Sequence, residues 1–259
     1  MKKACTILLA AAFLITALPS ALFAQDAPPP VSEMWMMVPK ADQRSEFYEG
    51  LKAHMEFRSE AGDPRAWNTY TPMLGDEIDR VVVRYCCFEW ADADAYRAWS
   101  EENPEVGKHW QENVDPYVES YGHYFDEVDW ANSNIRGEWG PWKYFAETKF
   151  DLKPGDASTF DAVRDKISQI ALNQGYATED RPWIWATGVG GSKSESIVVP
   201  MKGLANMAPS GETFFNFLAR ILGSDEAAEE LFAKLTESVE KQDFQIWELH
   251  EDMSMKRAE

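Results

Sequence analysis

The sequence predicts an α+β protein in which two copies of one β-α-β-β-α-β module close against each other as a single pseudo-twofold barrel. Two observations predict it: an internal repeat, and the same order of periodic segments around each copy. Residues 61–85 align with residues 177–201 at an offset of 116, without a gap. Seven of the 25 positions are identical: Ala61, Arg65, Trp67, Thr71, Gly75, Val82 and Val83 match Ala177, Arg181, Trp183, Thr187, Gly191, Val198 and Val199. Ordinary residue frequencies give about one or two by chance.

In the first module, residues 34–40 form a short apolar strand ending at Pro39. Residues 42–60 read as a helix, with Phe47, Leu51, His54, Met55 and Arg58 recurring at spacings of three and four on one face. Gly62 stops it and Asp63-Pro64 turns the chain. Residues 67–72 and 80–90 are strands around the Leu74-Gly75-Asp76 turn. Asp92 or Asp94 is expected to cap the next helix, which Pro104 interrupts before it resumes through Trp110 and Val114. Residues 121–128 close the module. The second module repeats the order: strand 142–152, helix 158–173, strands 183–188 and 196–201, helical stretches 213–222 and 226–239, and strand 244–249. The run from Gly188 to Gly191 joins two strands and lacks the Lys-Ser/Thr of a phosphate loop, so it is expected to be a hairpin turn.

Residues 1–24 read as a cleaved secretory signal peptide: Lys2 and Lys3, an apolar run from Ile7 to Leu18, and small residues up to Ala24. The run is shorter than a bilayer span needs. A periplasmic or secreted location follows as an expectation. The domain plan is then residues 1–24 as signal, 31–129 as first module, 130–141 as linker and 142–253 as second module.

The chain carries 25 basic and 44 acidic side chains, a net of −19. Such a field disfavours nucleic acid and anionic membranes as partners and favours solubility. Beyond the leader the only cysteines are Cys86 and Cys87. Neighbours on a strand point to opposite faces, so two buried free thiols are expected rather than a vicinal disulfide. One adjacent pair supplies neither a disulfide framework nor a zinc site. Glu101, Glu102, Glu105, His109 and Glu112 have no ligand spacing and read as a solvated acidic face, so no metal is expected.

β-α-β-β-α-β is the ferredoxin-like split unit, with both helices on one face of a four-stranded antiparallel sheet. Strands such as 80–90 are apolar on both sides, so the open faces of the two sheets need each other as cover. With the Phe88-Glu89-Trp90-Ala91-Asp92 passage into the second helix, the chain resembles the dimeric α/β-barrel superfamily in tandem form, over nearly all of residues 31–253. The resemblance implies a monomer with a pseudo-dimeric barrel, or a homodimer of it. The superfamily includes cofactor-independent monooxygenases, haem enzymes, isomerases and binding proteins, so fold alone does not choose. Its tandem haem enzymes would place a histidine on a helix of the second module. The helical stretches of that module carry none, so no cofactor is expected.

The modules differ in chemistry. His54 stands where the second copy has Ile170, Arg84 where it has Pro200, and His123 where it has Ile246. Burying ionisable groups costs free energy unless they are paired or used. A site is therefore expected between the helices and sheet of module one, with Arg84 holding an anionic or carbonyl group and His54 or His123 as general base. Trp67, Tyr85 and Tyr121 would line it. Each of these residues alone also has a plainer structural reading. Three functions follow as expectations: a small-molecule-binding protein; alternatively a cofactor-independent monooxygenase or isomerase on a small aromatic or carbonyl substrate; or a non-catalytic interaction module. With these residues in the site, the enzyme reading predicts that His54, Arg84 and His123 converge on one enclosed cavity.

Overall fold

The computed structural model describes residues 28–135, 140–191, 193–208 and 211–256. The expected signal peptide, 1–24, lies outside them. The first half comprises β1 (Val31–Pro39), α1 (Arg44–Glu60), β2 (Asn68–Leu74), β3 (Val81–Phe88), α2 (Trp90–Glu102), α3 (Pro104–Asn113) and β4 (Val118–Asn134). The second comprises β5 (Tyr144–Leu152), α4 (Ala157–Asn173), β6 (Trp183–Val189), β7 (Ser194–Met201), α5 (Phe214–Leu222), α6 (Asp225–Glu237) and β8 (Val239–Leu249). β4 is longer than expected and runs through Asn134, where Trp183 is its partner.

The sheet corrects the expected fold class. Two separate ferredoxin-like sheets packed face to face would each keep two edges. Instead one closed barrel runs β1-β3-β2-β8-β5-β7-β6-β4. The junctions β2–β8 and β4–β6 are antiparallel ladders between the halves, through Tyr70↔Leu249 and Val128↔Ala186 among others. Closure removes the edges altogether, which face-to-face packing cannot do. The apolar residues on both sides of the strands reflect an outer layer under helices and a filled inner wall.

Alternation sorts the side chains. On β1, Met34 and Met36 face the lumen, while Met37 packs outward with Phe47, Leu51 and Met55 of α1 and with Trp67, Val81 and Val83. Under α4, α5 and α6 the larger outer core joins Phe150, Phe160, Ile167, Trp183, Trp185, Phe217 and Leu231. α2 is capped by Glu89, not by Asp92 or Asp94. Asp92 instead occupies the third helical position and accepts from the Glu89 backbone N–H at 3.0 Å, completing a capping box.

Cys86 and Cys87 depart from expectation too. They are half-buried and joined to each other as a disulfide. Ser32 pairs with Cys86 while its neighbour Val31 pairs with Phe88, so β3 carries one extra residue there. The bulge shifts the phase of the strand: Tyr85 and Phe88, three apart, stack on the same outer face at 5.9 Å.

Gly50 lies mid-helix in α1, where glycine costs about 1 kcal/mol against alanine. An added Cβ would overlap the Asn113 carbonyl oxygen at the end of α3. Gly50→Ala should therefore lower stability by about 1–3 kcal/mol despite the better helix propensity. Urea denaturation decides it; a raised midpoint would mean that α1 and α3 do not approach so closely.

Candidate functional site in the barrel lumen

The barrel encloses a cavity of about 560 Å³ that opens beside the β2–β3 and β6–β7 hairpins. Its volume falls in the range of small-molecule sites. Tyr70, Val82 and Phe145 form an apolar cluster in its wall, with Met34, Met36, Val198 and Trp247 packed against them. Among the charged side chains that line it are Arg84 from β3, Asp126 from β4, and Glu147 and Lys149 from β5.

Each sits there by strand parity. Arg84 follows Val82 at the spacing of two that lines one face, and Glu147 and Lys149 follow Phe145 in the same way. Glu147 is held in place: its Oε2 accepts from Trp247 Nε1 at 2.7 Å and from Gln245 Nε2 at 3.3 Å. Arg84 makes no hydrogen bond or ion pair among the described residues, so its five donors face the cavity. Asp126 has no hydrogen-bond partner among them either. It touches lumen solvent yet is walled by protein, and that desolvation raises its carboxyl to about 6. Arg84 opposes the rise, Glu147 adds to it and Lys149 opposes it.

The expected site residues fall into different places. Only Arg84 lies in the lumen. His54 is fully buried on α1, with Arg58 Nη1 donating to its Nε2 at 3.3 Å. Its Nδ1 therefore carries the hydrogen and donates to His109 Nδ1 at 3.2 Å. Burial, reinforced by Arg58 and His109, lowers its pKa to about 3, so it is a neutral bridge between α1 and α3. His123 lies on the outer face of β4, bonded to Glu33 at 2.8 Å. Trp67 and Tyr85 pack outward around Arg65, in a network where Tyr96 accepts from Arg58 and Trp67 and donates to Asp63. Tyr121 is exposed and donates to Asp115 at 2.6 Å. The three expected catalytic side chains thus do not share one cavity: Arg84 and His123 point to opposite sides of the barrel wall, and His54 lies between α1 and α3.

Module two is not the apolar copy expected of it. It contributes Glu147 and Lys149 to the lumen, and beneath α4 Arg164 meets Glu195 at 2.9 Å and Asp129 at 3.2 Å. Sequence reasoning missed Asp126, Glu147 and Lys149. The signal was charged residues at every second position beside apolar ones in two strands, Tyr124-Asp126-Val128 and Phe145-Glu147-Lys149. A haem between the helices and sheet of the second module does not fit: that space is filled by Phe160, Phe217 and Leu231, and α4, α5 and α6 offer no histidine.

The same barrel occurs in proteins of known structure. The chain is similar to a candidate monooxygenase from Lactobacillus acidophilus NCFM, with TM-score 0.52 and 11% identity over 88% of this chain and 96% of that one. A candidate monooxygenase from Fusobacterium nucleatum subsp. nucleatum ATCC 25586 gives 0.52 and 11%, over 86% and 93%. A variant chlorite dismutase from Candidatus Nitrospira defluvii gives 0.51 and 10%, over 86% and 92%. The likeness is one of fold. No protein-family model and no curated protein matches the sequence.

Because the folded pKa of Asp126 lies above the usual carboxylate value of 3.8, the unfolded chain ionises first as pH rises. Stability present below about pH 4 should be lost progressively through about pH 6. Asp126→Asn should remove that component, so wild type and variant should diverge across this window in urea melts. Parallel curves would mean that the carboxyl is not desolvated.

Proposed function

We propose that the chain is a monooxygenase-like enzyme that oxygenates a small aromatic or carbonyl compound held in the barrel lumen, using a base and a fixed cation rather than a bound cofactor. One observation carries this: an arginine with no hydrogen bond or ion pair among the described residues and a carboxyl raised towards neutrality face the same cavity, part of whose wall is the apolar cluster of Tyr70, Val82 and Phe145. The shared fold with two candidate monooxygenases supports it. Export through the amino-terminal leader is part of the proposal.

In this mechanism the forked guanidinium of Arg84 holds a carbonyl or phenolic oxygen. Asp126, ionised above about pH 6, removes a proton from the adjacent carbon. Charge then gathers on the oxygen that Arg84 already contacts, so the cation stabilises the transition state more than the ground state. The resulting carbanion reduces dioxygen. In the balanced reaction one methylene and one dioxygen give one carbonyl and one water: the carbon loses both hydrogens to the departing water and keeps the other oxygen atom. Met34, Met36, Tyr70 and Phe145 contact the ring system and exclude water.

Oxygen uptake with a panel of carbon-acidic aromatic ketones and 1,3-diketones tests the reading. Activity should rise with pH through about 6. Arg84→Ala should lower kcat/KM about 100-fold, and Asp126→Asn about 100- to 10,000-fold. Binding of the panel in the lumen without oxygen uptake would leave a carrier. No binding at all would remove the lumen from consideration.

A further inference from the structure

The geometry points to a second binding site, on the outer face of β1 and β4, that takes a small planar aromatic carrying an acidic O–H and passes its proton to His123. It is independent of the lumen reading, since alternation puts His123 and Arg84 on opposite sides of the wall.

The site is built from the inside outwards. Arg65 is buried, its guanidinium carbon 3.8 Å above the Tyr96 ring and 4.2 Å above the Phe88 ring. It donates to Glu33 Oε2, whose side chain is only 10% exposed. A buried ion pair of this kind is seldom a stabilising choice. Here it is less so, because Arg65 Nη2 is buried with no hydrogen-bond partner among the described residues. What the pair does accomplish is to fix Glu33. Its Oε1 accepts from His123 Nε2 at 2.8 Å and from Trp35 Nε1 at 3.2 Å.

That bond sets the tautomer of His123. Glu33 accepts here, so the neutral imidazole carries its hydrogen on Nε2 and keeps its lone pair on Nδ1. Nδ1 has no partner among the described residues, and the side chain is 36% exposed. Aromatic surface surrounds it. Trp35 stacks on the imidazole at 4.0 Å and 10°, Phe125 stands 5.0 Å away, and Trp90 lies 5.3 Å from Phe125. Trp35 and Trp90 are 38% and 42% exposed. The indole N–H groups are spent on Glu33 and Glu127, the latter at 2.7 Å, so the indoles offer ring surface only.

These features define the ligand. Ring surface selects a flat apolar ring, and a lone acceptor nitrogen selects a donor. A phenol supplies both. On transfer its O–H bond breaks and an Nδ1–H bond forms; the imidazolium rests on the Glu33 carboxylate, and the phenolate keeps the electron pair. No oxidant is involved.

4-Nitrophenol is the probe, because its absorption reports ionisation. At a fixed pH below its own pKa, adding the full chain should raise the ionised fraction and quench tryptophan fluorescence. Arg84→Ala, which takes away the lumen's hold on a phenolic oxygen, is the background for the test, and both signals should persist in it. There His123→Ala should abolish the absorption change, and Trp35→Ala should weaken binding about tenfold. The proposal is overturned if Arg84→Ala alone removes the absorption change, or if the change survives His123→Ala in that background. Should His123→Ala not fold, nitrogen NMR of wild-type His123 decides: a lone pair on Nδ1 is required, and a proton there refutes the site.

Discussion

The hydrogen-bonded ladders between the two halves govern what lies on either side of the barrel wall. β2 joins β8 and β4 joins β6, and with those seams in place eight strands have no free edge. A closed wall forces every strand to serve two environments. Outward residues meet helices and form the two large cores. Inward residues fill a space too narrow for another element and too wide to be packed solid. The lumen is thus a geometric consequence of closure, and its chemistry is set by whichever residues have inward parity.

That parity rule explains how one sheet can hold three polar systems without their merging. Arg84 and Asp126 work against each other's charge inside, where low polarisability strengthens the interaction. Glu33, Arg65 and His123 form a line through the outer layer. His54, His109, Arg58, Tyr96 and Asp63 tie α1 to the elements around it, with every bond accounted for by one tautomer. The last system is the plainest structural use of histidine, and the full burial of His54 keeps that imidazole from any substrate.

The repeat was legible in the sequence because both copies keep the residues that strand geometry needs, such as Trp67 and Trp183 at matching positions. Element order followed from apolar periodicity and from glycine and proline punctuation. The ladders that seal the barrel were not legible. Pairing between β2 and β8 depends on residues far apart in the chain, and no local pattern encodes it. The site was legible only in part. Arg84 stood out because a charged residue broke an apolar strand. His54 and His123 stood out for the same reason, but that reason does not say into which space a side chain points. The phase shift at Cys86 and Cys87 was beyond reach, since neighbouring cysteines on a regular strand would face apart.

The cavity wall draws Arg84 and Asp126 from one half of the chain and Glu147 and Lys149 from the other. A molecule bound among them is therefore a cross-link between the halves. Its binding free energy adds to the cohesion of both seams at once, because neither half alone presents the full set of contacts. Occupancy should make the two repeats melt as one cooperative unit, whatever independence the repeat left them.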